Sequence, residues 1–221
     1  DPTRHPLRAD AQGLQAFTSA TLEKAFQVSA DNPLIGTEGR AGLLQTLGKC
    51  VENDPTHFPK SRVGSLIDYL VAQHGKSIPA PALLRAVLDA LGSIWPERLK
   101  LHGKELGDVW SHSGLAPAGT FESLVPFHKL SQWLTYSLIE PLLAAGMNVP
   151  GVENLTGLAE YRNGGLVLDS GLISLRNPSL ASQAHRPDSE LVIEWRALTL
   201  VWLEKIAEEV RRKLKMTASE L

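Results

Sequence analysis

The chain is poor in the residues that most often announce a chemistry. It has one cysteine, Cys50. That excludes a disulfide within the chain and every metal site built from several thiolates. Cys50 reads as a small apolar residue on a helix. A basic excess is also missing: 22 Lys and Arg stand against 24 Asp and Glu, a net charge of −2. Proteins that hold nucleic acid by its phosphates need a basic excess or stripe, so no nucleic-acid partner is expected. No apolar run reaches the roughly 20 residues of a membrane helix, and no signal peptide is visible. No membrane is expected, and the cytoplasm is the expected compartment. There are no repeats, no P-loop, no dinucleotide glycine motif, no nucleophile elbow and no histidine pair on one helix turn. His102 and His112 lie ten apart with no third ligand in phase. Neither a metal nor a cofactor is expected. An initiating methionine is absent too, since the chain opens Asp1-Pro2.

What remains is ordinary globular material: 221 residues, 43% apolar and 21% charged. That is enough to bury a substantial core. Apolar spacing near 3.6 predicts helices over 10–27 (in two short segments, with Ser19 and Thr21 as caps), 37–51, 61–74, 81–95, 121–145 and 191–210. Pro141 should kink the fifth. Residues 101–120 read as a glycine-bearing loop. A small hairpin is expected from 166–168 and 172–174. The expected fold is therefore all-α (mainly α), with at most one small β-hairpin, in a single helical domain over 1–221.

Chemistry gathers in Leu155-Thr-Gly-Leu-Ala-Glu-Tyr-Arg-Asn-Gly-Gly165, followed by Asp169. Glu160, Tyr161 and Arg162 are consecutive, and glycines follow that would let a ligand approach. A polar helix end with a glycine stop is the plainer alternative. In the loop, Asp108, Trp110 and His112 could line a pocket. On the fifth helix a buried stripe runs through Phe127, Leu130, Leu134 and Leu138. Its other positions mix Lys129 and Gln132 with Trp133 and Tyr136, as a ligand wall would. The last helix is apolar nearly all round and should lie in the centre of the fold. Glu194 and Arg196 interrupt it. Two positions apart, they point about 200° from each other, so each needs its own partner elsewhere.

The segments Phe26-Gln-Val-Ser-Ala-Asp-Asn-Pro-Leu-Ile-Gly-Thr-Glu-Gly-Arg40, Arg62-Val-Gly-Ser-Leu66, Val125-Pro-Phe-His-Lys-Leu-Ser-Gln-Trp-Leu-Thr-Tyr136 and 155–165 resemble the uracil-catabolism protein four family, of the ribosylurea route of pyrimidine degradation. Members of that family are nearly twice as long. The resemblance therefore implies that this chain is the C-terminal half of a longer protein, with the N-terminal half as its partner. A more distant similarity is to queuosine-salvage nucleoside glycosidases. It rests on Lys129 and Gln132, on Leu155-Thr156 with Glu160-Tyr161-Arg162, and on Glu194 with Arg196-Ala197. The acid before Tyr-Arg is an aspartate in that family and Glu160 here, which moves the carboxylate by about 1.5 Å. This similarity implies a helical glycosylase-like fold and an N-ribosyl hydrolase acting on a small ribosylated substrate such as ribosylurea or its phosphate. Glu160 would be the catalytic carboxylate. Lys129, Gln132, Tyr161, Arg162, Asp108, Trp110, Trp133, Tyr136 and Asp169 would bind substrate, with Glu194 and Arg196 in support. The alternative is a non-catalytic ligand-binding or scaffold protein of the same pathway. The sequence leaves the oligomeric state unspecified.

Overall fold

A computed structural model of the protein describes residues 8–95, 99–218 and 220. The chain is mainly helical and packs as two compact units.

The first unit holds residues 8–95 and Leu142–Pro150. Its helices are α1 (Ala11–Gln15), α2 (Ser19–Ala25), α3 (Thr37–Asn53), α4 (Ser65–His74) and α5 (Ala80–Leu91), the last followed by a 3-10 turn at Gly92–Ile94. Asp10 caps α1 by accepting from Gly13 N at 2.9 Å, and Thr18 caps α2 by accepting from Thr21 N at 3.2 Å. The cap of α2 is therefore Thr18 rather than Ser19 or Thr21. Only Thr18 has the extended backbone a cap needs, and the other two are already inside the helix. The helix expected from residue 61 begins at Ser65, because Ser61 adopts a left-handed φ of 49° and Arg62 bridges to Asp10. Val51, Phe58, Leu70, Ile78, Leu83 and Val87 are buried at the centre. Ile78 N and Ala80 N donate to Asn148 O and Pro150 O, which ties the 142–150 segment to the start of α5.

The second unit holds residues 99–141 and 151–218. The expected loop over 101–120 contains strands. β1 (Lys100–Leu101) pairs antiparallel with β2 (Lys104–Glu105), and β3 (Val109–Ser111) pairs with β4 (Leu124–Pro126), Trp110 opposite Val125. β4 shortens the fifth predicted helix from its front. Residues 121–128 make a 3-10 turn, the strand and a left-handed step at His128 (φ 46°), and α6 runs Lys129–Ala144 with Pro141 inside it. The buried side of α6 also differs from its apolar pattern. Ser131, Gln132 and Thr135 are buried, whereas Leu130 is 43% and Trp133 57% exposed. Thr135 tolerates burial because its hydroxyl donates to Ser131 O at 2.8 Å.

The expected hairpin over 166–174 is replaced by helix: α7 spans Tyr161–Asp169. The final helix, α8, is longer than predicted, Glu190–Leu214, and is not buried all round. Val192, Ile193, Arg196 and Thr199 are buried, but Leu198, Val201, Ile206, Val210 and Leu214 are exposed. Trp110, Phe127, Ala159 and Ile193 form a buried cluster, with Val125, Ala197 and Leu200 against it. No helix among the described residues is long and apolar enough to cross a membrane.

Two glycines of α3 make a paired test of packing. A Cβ on Gly48 would stand 2.8 Å from Ala11 O and 2.9 Å from Gln15 N, backbone atoms of α1, whereas one on Gly42 meets nothing within 4 Å. Gly42→Ala should raise stability by up to about 1 kcal/mol through helix propensity. Gly48→Ala should lower it by about 1–3 kcal/mol through overpacking. Chemical denaturation reads both, and shifts of the same sign would contradict the packing of α1 on α3.

Candidate functional site

The second unit is arranged around Asp108. Arg196 Nη1 and Nη2 donate to its two carboxylate oxygens at 2.9 and 2.8 Å, Trp110 Nε1 donates at 2.8 Å, and Lys129 N donates at 3.0 Å. Its backbone carbonyl accepts from Phe127 N and His128 N. One residue thus joins β3, the start of α6 and the middle of α8. The guanidinium carbon of Arg196 also lies 4.0 Å from the centroid of the Phe127 ring, a cation–π contact in a buried place. Burial pushes the Asp108 carboxyl upward, but the Arg196 guanidinium and the Lys129 and Trp110 N–H donors outweigh it and hold it at about 2. Burial lowers the pKa of the adjacent His128 imidazole, against the opposing pull of Asp108.

Lys129 carries this clamp onward. Its backbone N is fixed on Asp108, and its Nζ lies 3.1 Å from Glu160 Oε1. Glu160 is the residue before the first turn of α7. Its backbone is extended, its carbonyl accepts from Gly164 N, and its carboxylate is not used as a cap. The side chain stays 39% exposed while Lys129 is 21% exposed, so the pair sits at a surface with one protected side. One helical turn beyond Lys129, Gln132 is buried, and its Oε1 has no hydrogen-bond partner. A buried acceptor left without a donor is costly.

Glu194 and Arg196 do take separate partners. Arg196 takes Asp108, and Glu194 Oε1 stands 3.2 Å from His112 Nε2, without hydrogen-bond alignment. His112 Nδ1 accepts from Gly114 N, which leaves the proton of the neutral ring on Nε2, facing Glu194. Glu190 accepts from Ser113 N, so α8 holds the 112–114 turn at two points.

The remaining predicted residues scatter. Tyr161 is exposed and tilts over Trp195 with ring centroids 5.5 Å apart. Tyr136 donates its hydroxyl to Thr156 O at 3.0 Å. Arg162, Asp169 and Trp133 are exposed. Trp110 is part of the buried cluster, and its indole N–H is spent on Asp108. The glycines do not open room for a ligand at Gly164. A Cβ there would come 2.7 Å from the Trp195 indole and 2.9 Å from Thr199 Oγ1, so its bare backbone is what lets α7 lie against α8.

Sequence reasoning missed three features. Phe127 was placed in a helical stripe and is instead the floor under Arg196. Trp195, on the helix whose sequence is apolar nearly all round, packs on both Tyr161 and Gly164. The third is a cavity of about 760 Å3, bounded by Tyr161, Trp195 and Leu198 on the helices and by Ile173, Arg176 and His185 from the following loop. Of the predicted site residues, Tyr161 and Glu194 line it. The loop side mixes Ile173, Leu175 and Leu180 with Arg176, Asn177 and His185, and no periodic pattern in it signals a wall.

The geometry defines a mainly helical protein whose second unit presents a lysine–glutamate pair backed by a partly buried aspartate clamped to a buried arginine. The chain belongs to the family described as "Protein of unknown function (DUF1688)", which matches residues 1–221. It is 40% identical over 215 residues to Protein urg3 of Schizosaccharomyces pombe (strain 972 / ATCC 24843), covering 96% of this chain and 51% of that protein. It is 35% identical over 240 residues to Uracil catabolism protein 4 of Lachancea kluyveri, covering 96% of this chain and 55% of that one. The resemblance drawn from the four sequence segments therefore holds at the level of the family. The chain spans about half the length of these curated relatives. No solved structure matches it.

The clamp has a pH signature. Asp108 has a folded-state value of about 2 against an ordinary 3.8, a depressed carboxyl. Its contribution is complete above about pH 4 and is lost as pH falls from there through about 2. It amounts to roughly 2 kcal/mol. Asp108→Asn should cost about 3 kcal/mol at neutral pH by leaving Arg196 without its counter-charge. It should also flatten the acid limb of a stability–pH curve. A variant that keeps the wild-type acid limb contradicts this role for Asp108.

Proposed function

We propose that the protein is an N-ribosyl hydrolase of pyrimidine degradation, cleaving ribosylurea or its phosphate at the N-glycosidic bond. The observation that carries the reading is the 3.1 Å pair of Lys129 Nζ and Glu160 Oε1, partly open to solvent and anchored from behind by Asp108. The name of the Lachancea kluyveri relative, Uracil catabolism protein 4, supports the pathway.

In this reaction the C1–N bond breaks, water supplies the oxygen that bonds C1, and a proton goes to the departing urea nitrogen. Positive charge builds on the sugar as the bond opens. A carboxylate under C1 stabilises that charge or attacks the carbon. Glu160 has that role. In the free protein its counter-charge is Lys129, and in the transition state the cationic sugar competes for the same oxygens. Lys129 and Gln132 hold ribose hydroxyls or the phosphate, and the Gln132 Oε1, which still lacks a donor, accepts from a hydroxyl. Tyr161, Arg162, Trp133, Tyr136 and Asp169 are further candidates for binding the substrate. Asp108, Trp110 and Arg196 are positioning residues, because their polar atoms are committed to one another. Glu194 holds the 112–114 turn through His112. Residues 1–221 act as the C-terminal half of a longer protein whose other half contributes to the site.

Glu160→Gln in the full-length protein should reduce urea release from ribosylurea by at least about a hundredfold. Stability should change by no more than about 1 kcal/mol, since the ion pair is half exposed. Urea release at near-normal rate from a folded variant would remove Glu160 from the chemistry. A full-length wild type that binds ribosylurea without turning it over would favour the non-catalytic, ligand-binding alternative.

A further inference from the structure

Burial along α8 falls away while its sequence pattern does not. Val192, Thr199, Leu203, Ile206, Val210 and Leu214 follow at steps of seven, four, three, four and four residues. At about 100° per residue they lie along one face of the helix. On the early part of that face Val192 is 7% exposed and Thr199 1%. Leu203 is half-buried and packs over Gly157, with its Cδ1 3.4 Å from where a Cβ would stand. Past Leu203 the cover stops, and Ile206, Val210 and Leu214 are 39%, 36% and 57% exposed. The neighbouring charges do not explain them. Arg211 pairs with Glu204 and Arg212 with Glu209 along the helix itself, leaving the aliphatic row apolar.

We infer that this uncovered end of α8 seats the half of the polypeptide that the longer relatives carry outside the matched stretch, through an apolar helical face that continues the packing begun at Leu203. Two observations choose this occupant. The matched stretch is 51% and 55% of those relatives, each of which carries a comparable length of chain outside it. The row is also too small for a second copy. Three aliphatic side chains bury roughly a few hundred Å2, well under the ~800 Å2 per partner of a stable association between separate molecules. A segment tethered in the same polypeptide needs far less area, because linkage supplies a high effective concentration.

The test places p-benzoylphenylalanine at position 210 of the full-length protein, with position 208 as control. Glu208 lies on the other side of the helix, about 160° away. After irradiation, crosslinked peptides are mapped. Crosslinks from 210 should join residues of the same molecule outside these 221, at ten or more times the yield from 208. Crosslinks between two molecules, crosslinks confined to these 221 residues, or a yield no greater than at 208 would each overturn the proposal. The same probe at position 214 serves if the first variant does not fold. The readout is independent of any hydrolase activity.

Discussion

The ion pair of Asp108 and Arg196 is the constraint on which the second unit rests. A carboxylate taken out of water is tolerated only when its oxygens are fully used, and here four donors from three elements use them. Because one donor is Lys129 N, the start of α6 is fixed by the same atoms that fix the middle of α8. The left-handed step at His128 follows, since the chain must turn sharply between β4 and a helix whose first N–H is already committed. From there the Lys129 side chain reaches Glu160, and Glu160 heads α7, which lies on α8 through Gly164 and Trp195. The Lys129–Glu160 pair is thus tied, through the Lys129 backbone, to the partly buried Asp108–Arg196 pair.

Much of this was legible where it depended on local pattern. The helical class follows from apolar spacing, and the separate partners of Glu194 and Arg196 follow from helix geometry alone. The identity of those partners does not. Asp108 lies 88 positions from Arg196, and nothing in a loop of mixed polarity says which carboxylate will meet the guanidinium. The front of α6 is not legible in the sequence, because residues 121–128 are apolar enough to continue a helix and only pairing with β3 makes 124–126 a strand. The buried side of α6 was misread because Thr135 satisfies its hydroxyl within the helix, so a polar residue packs as an apolar one would. Glu160 was singled out by its neighbours, and the structure adds Lys129 beside it. Gly164 was singled out as room for a ligand, and the structure gives that room to an indole.

The last helix shows the same limit from the other side. Its sequence is apolar nearly all round and reads as central, yet its final turns are exposed in these 221 residues. A pattern records every surface a helix covers, while the described packing accounts only for those met within these residues. The relatives that this chain matches are about twice its length, and that is the ground for assigning the uncovered row to chain outside the matched stretch.

The central claim is that the anchored Glu160 serves cleavage between ribose and nitrogen rather than attack on the ureido carbon. The most direct test is a 13C NMR product analysis of ribosylurea labelled at the ureido carbon and turned over by the full-length protein. The account predicts that the label leaves as intact urea. Label appearing as bicarbonate, or remaining wholly in the substrate, would contradict it.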